Sequence, residues 1–149
     1  MHVRRKARQV ALEILYEVDC AEHPADDVIT RRLVDEEDPL DEGTEAFLRE
    51  MIHGVIQHQA ALDSVIHKYA PEWPVDQMAI IDRNILRMAI FEIAIDEHTP
   101  LKVAINEAVE LAKIYGSDSA PRFVNGVLGT LASTSQSALV AVLAGSDGD

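Results

Sequence analysis

The chain has 149 residues, which suits one compact domain. Its 48% of hydrophobic residues against only 5% aromatics give an aliphatic core and exclude a disordered chain, and a net charge of −13 argues against non-specific nucleic-acid binding by the body as a whole. No apolar run reaches the roughly 18 residues of a membrane span, the polar N-terminus lacks a signal-peptide core, and the single Cys20 cannot close an internal disulfide, so a cytoplasmic protein with no membrane partner is expected.

Apolar residues recur at intervals of three and four through almost every segment and show no sustained alternation, which predicts an all-α fold. A first helix is predicted over residues 4–22, with Val10, Ile14, Leu15 and Val18 as its stripe and Pro24 as its stop. A second starts near Ala25 and covers Val28, Ile29, Leu33 and Val34, and residues 35–39 read as an acidic loop. A third spans 41–57, with Phe47, Leu48, Met51, Ile52 and Val55 inward; 60–69 follows as its continuation or as a separate helix. Pro71 and Pro74 bracket Trp73 in a break. Residues 75–96 are apolar nearly all round, the mark of a buried central helix, and Arg83 and Arg87 share a face directed to solvent or to acidic partners. Thr99 reads as an N-cap with Pro100 at the first position of the next helix, whose stripe is Leu101, Ala104, Ile105, Ala108, Leu111, Ala112 and Tyr115. Gly116 is placed to end that helix as a C′ glycine. Ser119 is placed to cap the last helix, with Pro121 in its first turn, and Gly126 and Gly129 to allow close backbone approach. The domain is expected to close at 132, leaving 133–149 as a flexible tail.

Charge is unevenly spread. Arg4, Arg5, Lys6 and Arg8 put four of the 13 basic residues within five positions, whereas residues 13–50 carry 14 acidic and three basic ones. Because exposed charges are screened beyond roughly 8 Å at physiological salt, a ligand on the basic arm feels the arm more than the whole protein. The competing reading of the arm is a solvated helix start. No Cys-x-x-Cys or His-Glu-x-x-His spacing, glycine-rich phosphate loop or nucleophile motif is present, so no metal, cofactor or enzymatic activity is expected. Proteins hold single-stranded RNA by pairing Lys and Arg with phosphates and stacking aromatics on unpaired bases. The arm supplies the first element; Tyr16, with Tyr115, Arg122 and Phe123 around the last turn, are candidates for the second. Burial is the competing reading for each aromatic: it is expected for Tyr69 and Phe91 and open for Tyr16, Tyr115 and Phe123.

The start RRKARQVALEILYEVD, the central IDRNILRMAIFEI, the helix VAINEAVELAK and the closing RFVNGVLGTLA stand in the order found in the NusB family of bacterial transcription antitermination factors, which the chain resembles from Arg4 to Ala132. The resemblance implies two small helical bundles packed against each other, here about 1–70 and 75–132. It also implies binding to boxA, a short single-stranded RNA element of nascent ribosomal RNA, in partnership with NusE, a small-subunit ribosomal protein, and entry into the RNA polymerase antitermination complex. By position, Arg4, Arg5, Lys6 and Arg8 match the family's RNA-binding arm, and Asp118, Arg122 and Phe123 match the turn and helix start of its RNA surface. Tyr16 and Asp82 match positions near the RNA–NusE surface, so both are expected partner contacts and Tyr16 an RNA contact as well. Arm and turn are then expected to lie near each other. The acidic body should lower affinity for RNA in the absence of a partner.

Two other expectations compete. One is a structural homodimer, since some members of the family hide the RNA surface by pairing. The other is an accessory domain like that preceding the catalytic part of certain ribosomal RNA cytosine methyltransferases, although residues 133–149 are expected to be too few to hold a cofactor-binding domain.

Overall fold

The computed structural model describes residues 2–35, 39–94 and 99–133. Among them are seven α-helices: α1 (His2–Ala21), α2 (Ala25–Asp35), α3 (Glu42–Gln57), α4 (Gln59–Tyr69), α5 (Ile80–Ala94), α6 (Leu101–Tyr115) and α7 (Ala120–Ala132), with a 3-10 turn over Val75–Gln77. No strand occurs among the described residues. The apolar stripes become the buried faces. α1 buries Val10, Ile14 and Leu15, α3 buries Leu48, Met51, Ile52 and Val55, and α7 buries Val124, Val127, Leu128 and Leu131. These faces meet in one core that draws on all seven helices. Burial of apolar surface, at about 25 cal/mol per Å², rather than helix propensity, stabilises an assembly of helices this short.

Several boundaries differ from the periodic reading. α5 starts at Ile80 rather than 75, because Val75–Gln77 closes a 3-10 turn after Pro74 and Met78 is extended (φ −66°, ψ 153°). α6 starts after Pro100, whose ψ of 145° is extended; no side chain caps the helix, and Thr99 is itself buried. Of the apolar residues of α2, Val28 and Ile29 are buried and Val34 is 78% exposed. α3 has the cap its sequence suggests: the Asp41 carboxylate accepts the Thr44 N–H at 2.7 Å. The acidic loop at 36–38, the end of the central helix at 95–96 and the tail from 134 onward lie outside the described residues.

α5 is buried from Asn84 to Ala94 although it carries Arg87 and Glu92. Isolated charges cannot be buried at tolerable cost, and α1 supplies partners for both. Arg8 donates from Nε and Nη2 to the two Glu92 oxygens at 2.7 and 2.8 Å, with both side chains at most 5% exposed. At the other end of α1, Asp19 accepts two bonds from Arg83 at 2.8 and 2.7 Å, one from Asn84 at 2.9 Å and one from Arg87 at 3.1 Å. Arg87 also grips Asp63 of α4 at 2.7 and 2.9 Å. The face shared by Arg83 and Arg87 is therefore directed to acidic partners within the fold. These pairings run α1 antiparallel to α5.

Removing one partner of a buried ion pair leaves an uncompensated charge, which costs about 3–5 kcal/mol, whereas replacing both with apolar groups of similar volume is often close to neutral. Glu92→Ala should therefore lower stability by about 3–5 kcal/mol in urea denaturation, and Arg8→Met with Glu92→Met should recover most of that loss. A double variant no more stable than the single would show that the pair does not act as a unit.

Burial raises the pKa of Asp19, but hydrogen bonds from Arg83 and Asn84 and the charges of Arg83 and Arg87 outweigh it and hold the carboxyl below its ordinary value. A depressed folded-state pKa means that the ionised form stabilises the fold. That contribution is complete above about pH 4 and is lost as pH falls through the lower folded value. Asp19→Asn should lower the neutral-pH stability and flatten the acid limb of a stability–pH curve. An unchanged acid limb would assign it to other carboxylates.

Candidate nucleic-acid interface

α1 and α6 both pack on α5 and run parallel, bridged to each other by side chains. Arg5 donates from Nε and Nη2 to the Glu107 carboxylate at 3.1 and 3.0 Å. Further along both helices the Tyr115 hydroxyl donates to Glu13, and both pairs span the same sequence separation of 102. At 1.5 Å per residue the two clasps stand roughly 12 Å apart along the flank.

The four basic residues of the arm are not equivalent. Arg4 is exposed, with its guanidinium 4.9 Å from the centre of the Phe47 ring. Lys6 is exposed. Arg5 is 46% exposed at its side chain and held by Glu107, whose hydrogen bond and charge raise the guanidinium pKa further. Arg8, expected as an RNA contact, is turned inward: it is bound to Glu92, 4% exposed, and lies 5.3 Å from the other arginine's Phe47 ring. The outward cationic surface therefore consists of Arg4, Lys6 and part of Arg5.

The remaining candidates gather at the far end of the flank. Tyr16, 40% exposed, borders a hollow of about 340 Å³ with Leu12, Glu13, Ile81 and Tyr115. Burial and the bond to Glu13 push the Tyr115 phenol well above its ordinary value, so it stays a donor. Asp82, in the first turn of α5, is half-buried, and burial pushes its carboxyl up. It borders a second hollow, about 410 Å³, together with Trp73, Met78, Ser119, Arg122 and Phe123. Arg122 is exposed and Phe123 half-buried there, and Asp118 is exposed in the preceding turn. The structure thus brings Asp82, Arg122 and Phe123 to one hollow, with Tyr16 beside the neighbouring Ile81. Arm and turn belong to opposite ends of the α1–α6 flank and are not adjacent; Tyr16 stands at the turn's end, past the Glu13–Tyr115 clasp.

The glycines also depart from expectation. Gly116 caps α6 with φ −91° and ψ 177°, an extended conformation open to any residue, so no left-handed turn requires it. Space does: a Cβ there would lie 2.5 Å from the Ala120 Cβ and 2.9 Å from the Ala112 carbonyl oxygen. Gly126 and Gly129 show the opposite: an added Cβ would meet no other element within 4 Å among the described residues, so neither serves close packing between the described helices. Ser119 occupies the N-cap position of α7 but its hydroxyl makes no cap bond. Sequence reasoning missed Phe47 as the support of Arg4 and Trp73 as a wall of the Arg122–Phe123 hollow. The available signal for Trp73 was a large aromatic held between two prolines.

The pattern of the NusB family matches residues 5–133. The chain belongs to the NusB family. The transcription antitermination protein NusB of Roseiflexus castenholzii is 55% identical over 133 residues, covering 88% of this chain and 92% of that protein. The Bacillus subtilis protein of the same name is 41% identical over 130 residues, covering 87% and 95%. Among solved structures, T. maritima NusB superposes with a TM-score of 0.79 at 27% identity, over 87% of this chain and 90% of that one. The NusB chain family also appears in a crystal structure of the antitermination factors NusB and NusE in complex with dsRNA, which superposes with a TM-score of 0.78 at 23% identity and shares the fold. The NusB match takes in Tyr16, Asp82, Asp118, Arg122 and Phe123 and begins one residue after Arg4.

In this NusB family member the turn bearing Asp118 is held by the contact between Gly116 and Ala120. Overpacking of this kind costs about 1–3 kcal/mol. Gly116→Ala should destabilise by that amount in thermal or urea unfolding, despite adding a better helix former. A neutral result would mean that α7 shifts without cost.

Proposed function

We propose that this chain is a transcription antitermination factor that binds the single-stranded boxA element of nascent ribosomal RNA jointly with NusE and joins RNA polymerase. Family membership carries the reading: the chain is 55% identical to a protein named for antitermination. The fold shared with a NusB–NusE–RNA complex supports RNA and NusE as partners. On this reading Arg4, Lys6 and the exposed part of Arg5 receive phosphates at one end of the flank. Tyr16, Arg122 and Phe123 take bases and a phosphate at the other end, where the Asp118 carboxylate accepts from base amino groups. Asp82 and Tyr16 face NusE. The net charge of −13 opposes RNA away from the arm, so RNA binds more tightly once NusE is in place.

Each phosphate neutralised on a single strand contributes about −0.7 to the slope of log K against log salt. With Arg8 buried, the arm contributes a slope of at most roughly −2.1. In a boxA titration with NusE present, Arg4→Ala should weaken binding and flatten the slope by about 0.7. Unchanged affinity and slope in Arg4→Ala with Lys6→Ala would show that RNA does not bind the arm.

A further inference from the structure

Trp73 and Gly126 each break a local rule, and they meet at one place. Trp73 is 60% exposed, the largest side chain of the protein left in water. With Arg122 and Phe123 it forms a ridge between two hollows: the one bordered by Asp82 and another, of about 340 Å³, bordered by Tyr69, Pro71, Gly126 and Val127. Gly126 stands in the middle of α7, where glycine is unfavourable relative to alanine. Among the described residues, nothing beyond its chain neighbours and the local backbone of α7 lies within 4 Å of the Cβ it lacks. A helix-interior glycine that no other described side chain crowds leaves bare backbone at the edge of this hollow, and close approach of a ligand to backbone is one use of glycine.

We infer that an unpaired base of single-stranded RNA stacks on Trp73 and lies against the α7 backbone at Gly126. This rests on the RNA-binding reading above and extends its surface beyond Phe123. Trp73 and Phe123 supply faces on which any base can stack, and Arg122, on the ridge between the hollows, meets the phosphate that links successive bases. Lys68 adds a cation 5.6 Å from the centre of the ring of Tyr69, which borders the second hollow. An apolar peptide segment would use the hollow but would leave this pairing of cations with aromatic faces without purpose.

Trp73 is the single tryptophan of the chain, so its emission reports on the subsite directly. With the full chain and NusE present, fluorescein-labelled boxA RNA is titrated by anisotropy while unlabelled boxA RNA is titrated against tryptophan emission of this chain alone, using NusE freed of tryptophan. Stacking should quench Trp73 in step with the anisotropy. Trp73→Ala should weaken RNA binding about fivefold or more and Trp73→Phe should restore much of it. Gly126→Ala should raise the urea midpoint and yet weaken RNA binding, a combination that damage to the fold cannot produce. Normal anisotropy with unquenched Trp73 and full affinity in both alanine variants overturns the subsite and leaves the RNA-binding reading standing. Loss of NusE binding with RNA affinity retained assigns the hollow to protein and also overturns it. No RNA binding by the unaltered chain would sink both readings.

Discussion

The fold depends on how charge is ordered along α1 and α5. α1 reads Arg8 and then Asp19; α5 reads Arg83, Arg87 and then Glu92. Only the antiparallel alignment sets each charge against its opposite, and the parallel one would bury Arg8 beside Arg83 and Arg87 and leave Asp19 facing Glu92. Apolar stripes alone tolerate a helix turned end for end, since Leu, Ile and Val carry no direction. The buried pairs carry direction, and misalignment is penalised by several kcal/mol because it strands charges in the core. This register determines where everything else on α1 points.

One helix consequently does two jobs. The side of α1 carrying Arg8 and Asp19 locks onto α5, while the sides carrying Arg4, Lys6 and Tyr16 are left to solvent. Phe47 connects the two, since the guanidinium groups of Arg4 and Arg8 both lie near its ring. A buried arginine thus positions the aromatic surface against which an exposed one rests. α6 completes the flank, because its clasps at Glu107 and Tyr115 fix its height against α1 and so fix the turn that follows.

Features encoded locally were legible in the sequence. The stripes of α1, α3 and α7, the burial of α5 and the Asp41 cap all depend on residues within a few positions of one another. Features made by distant pairs were not. Nothing near Arg8 in sequence distinguishes it from Arg4 or Lys6, and its partner Glu92 is 84 residues away. A glutamate inside the otherwise apolar run of α5 was the one clue that a buried cation had to come from elsewhere. Gly116 was recognised as a helix end for the wrong reason, because the crowding by Ala120 depends on where the next helix packs. Trp73 read as part of a break because its prolines are local and the hollows beside it are not.

The parallel course of α1 and α6 has an electrical consequence. Two helices running the same way bring their N-termini to the same end of the molecule, and each N-terminus carries roughly half a positive charge from its aligned peptide dipoles. Arg4 and Lys6 stand at that end, so their charge adds to two positive poles, at some cost to the helix start. At the opposite end the C-terminal poles of α1 and α6 meet the N-terminal poles of α5 and α7, which offset them. In a chain of net charge −13 the arm end is where positive charge is gathered, and a polyanion that settles there relieves the repulsion between Arg4, Lys6 and the helix starts.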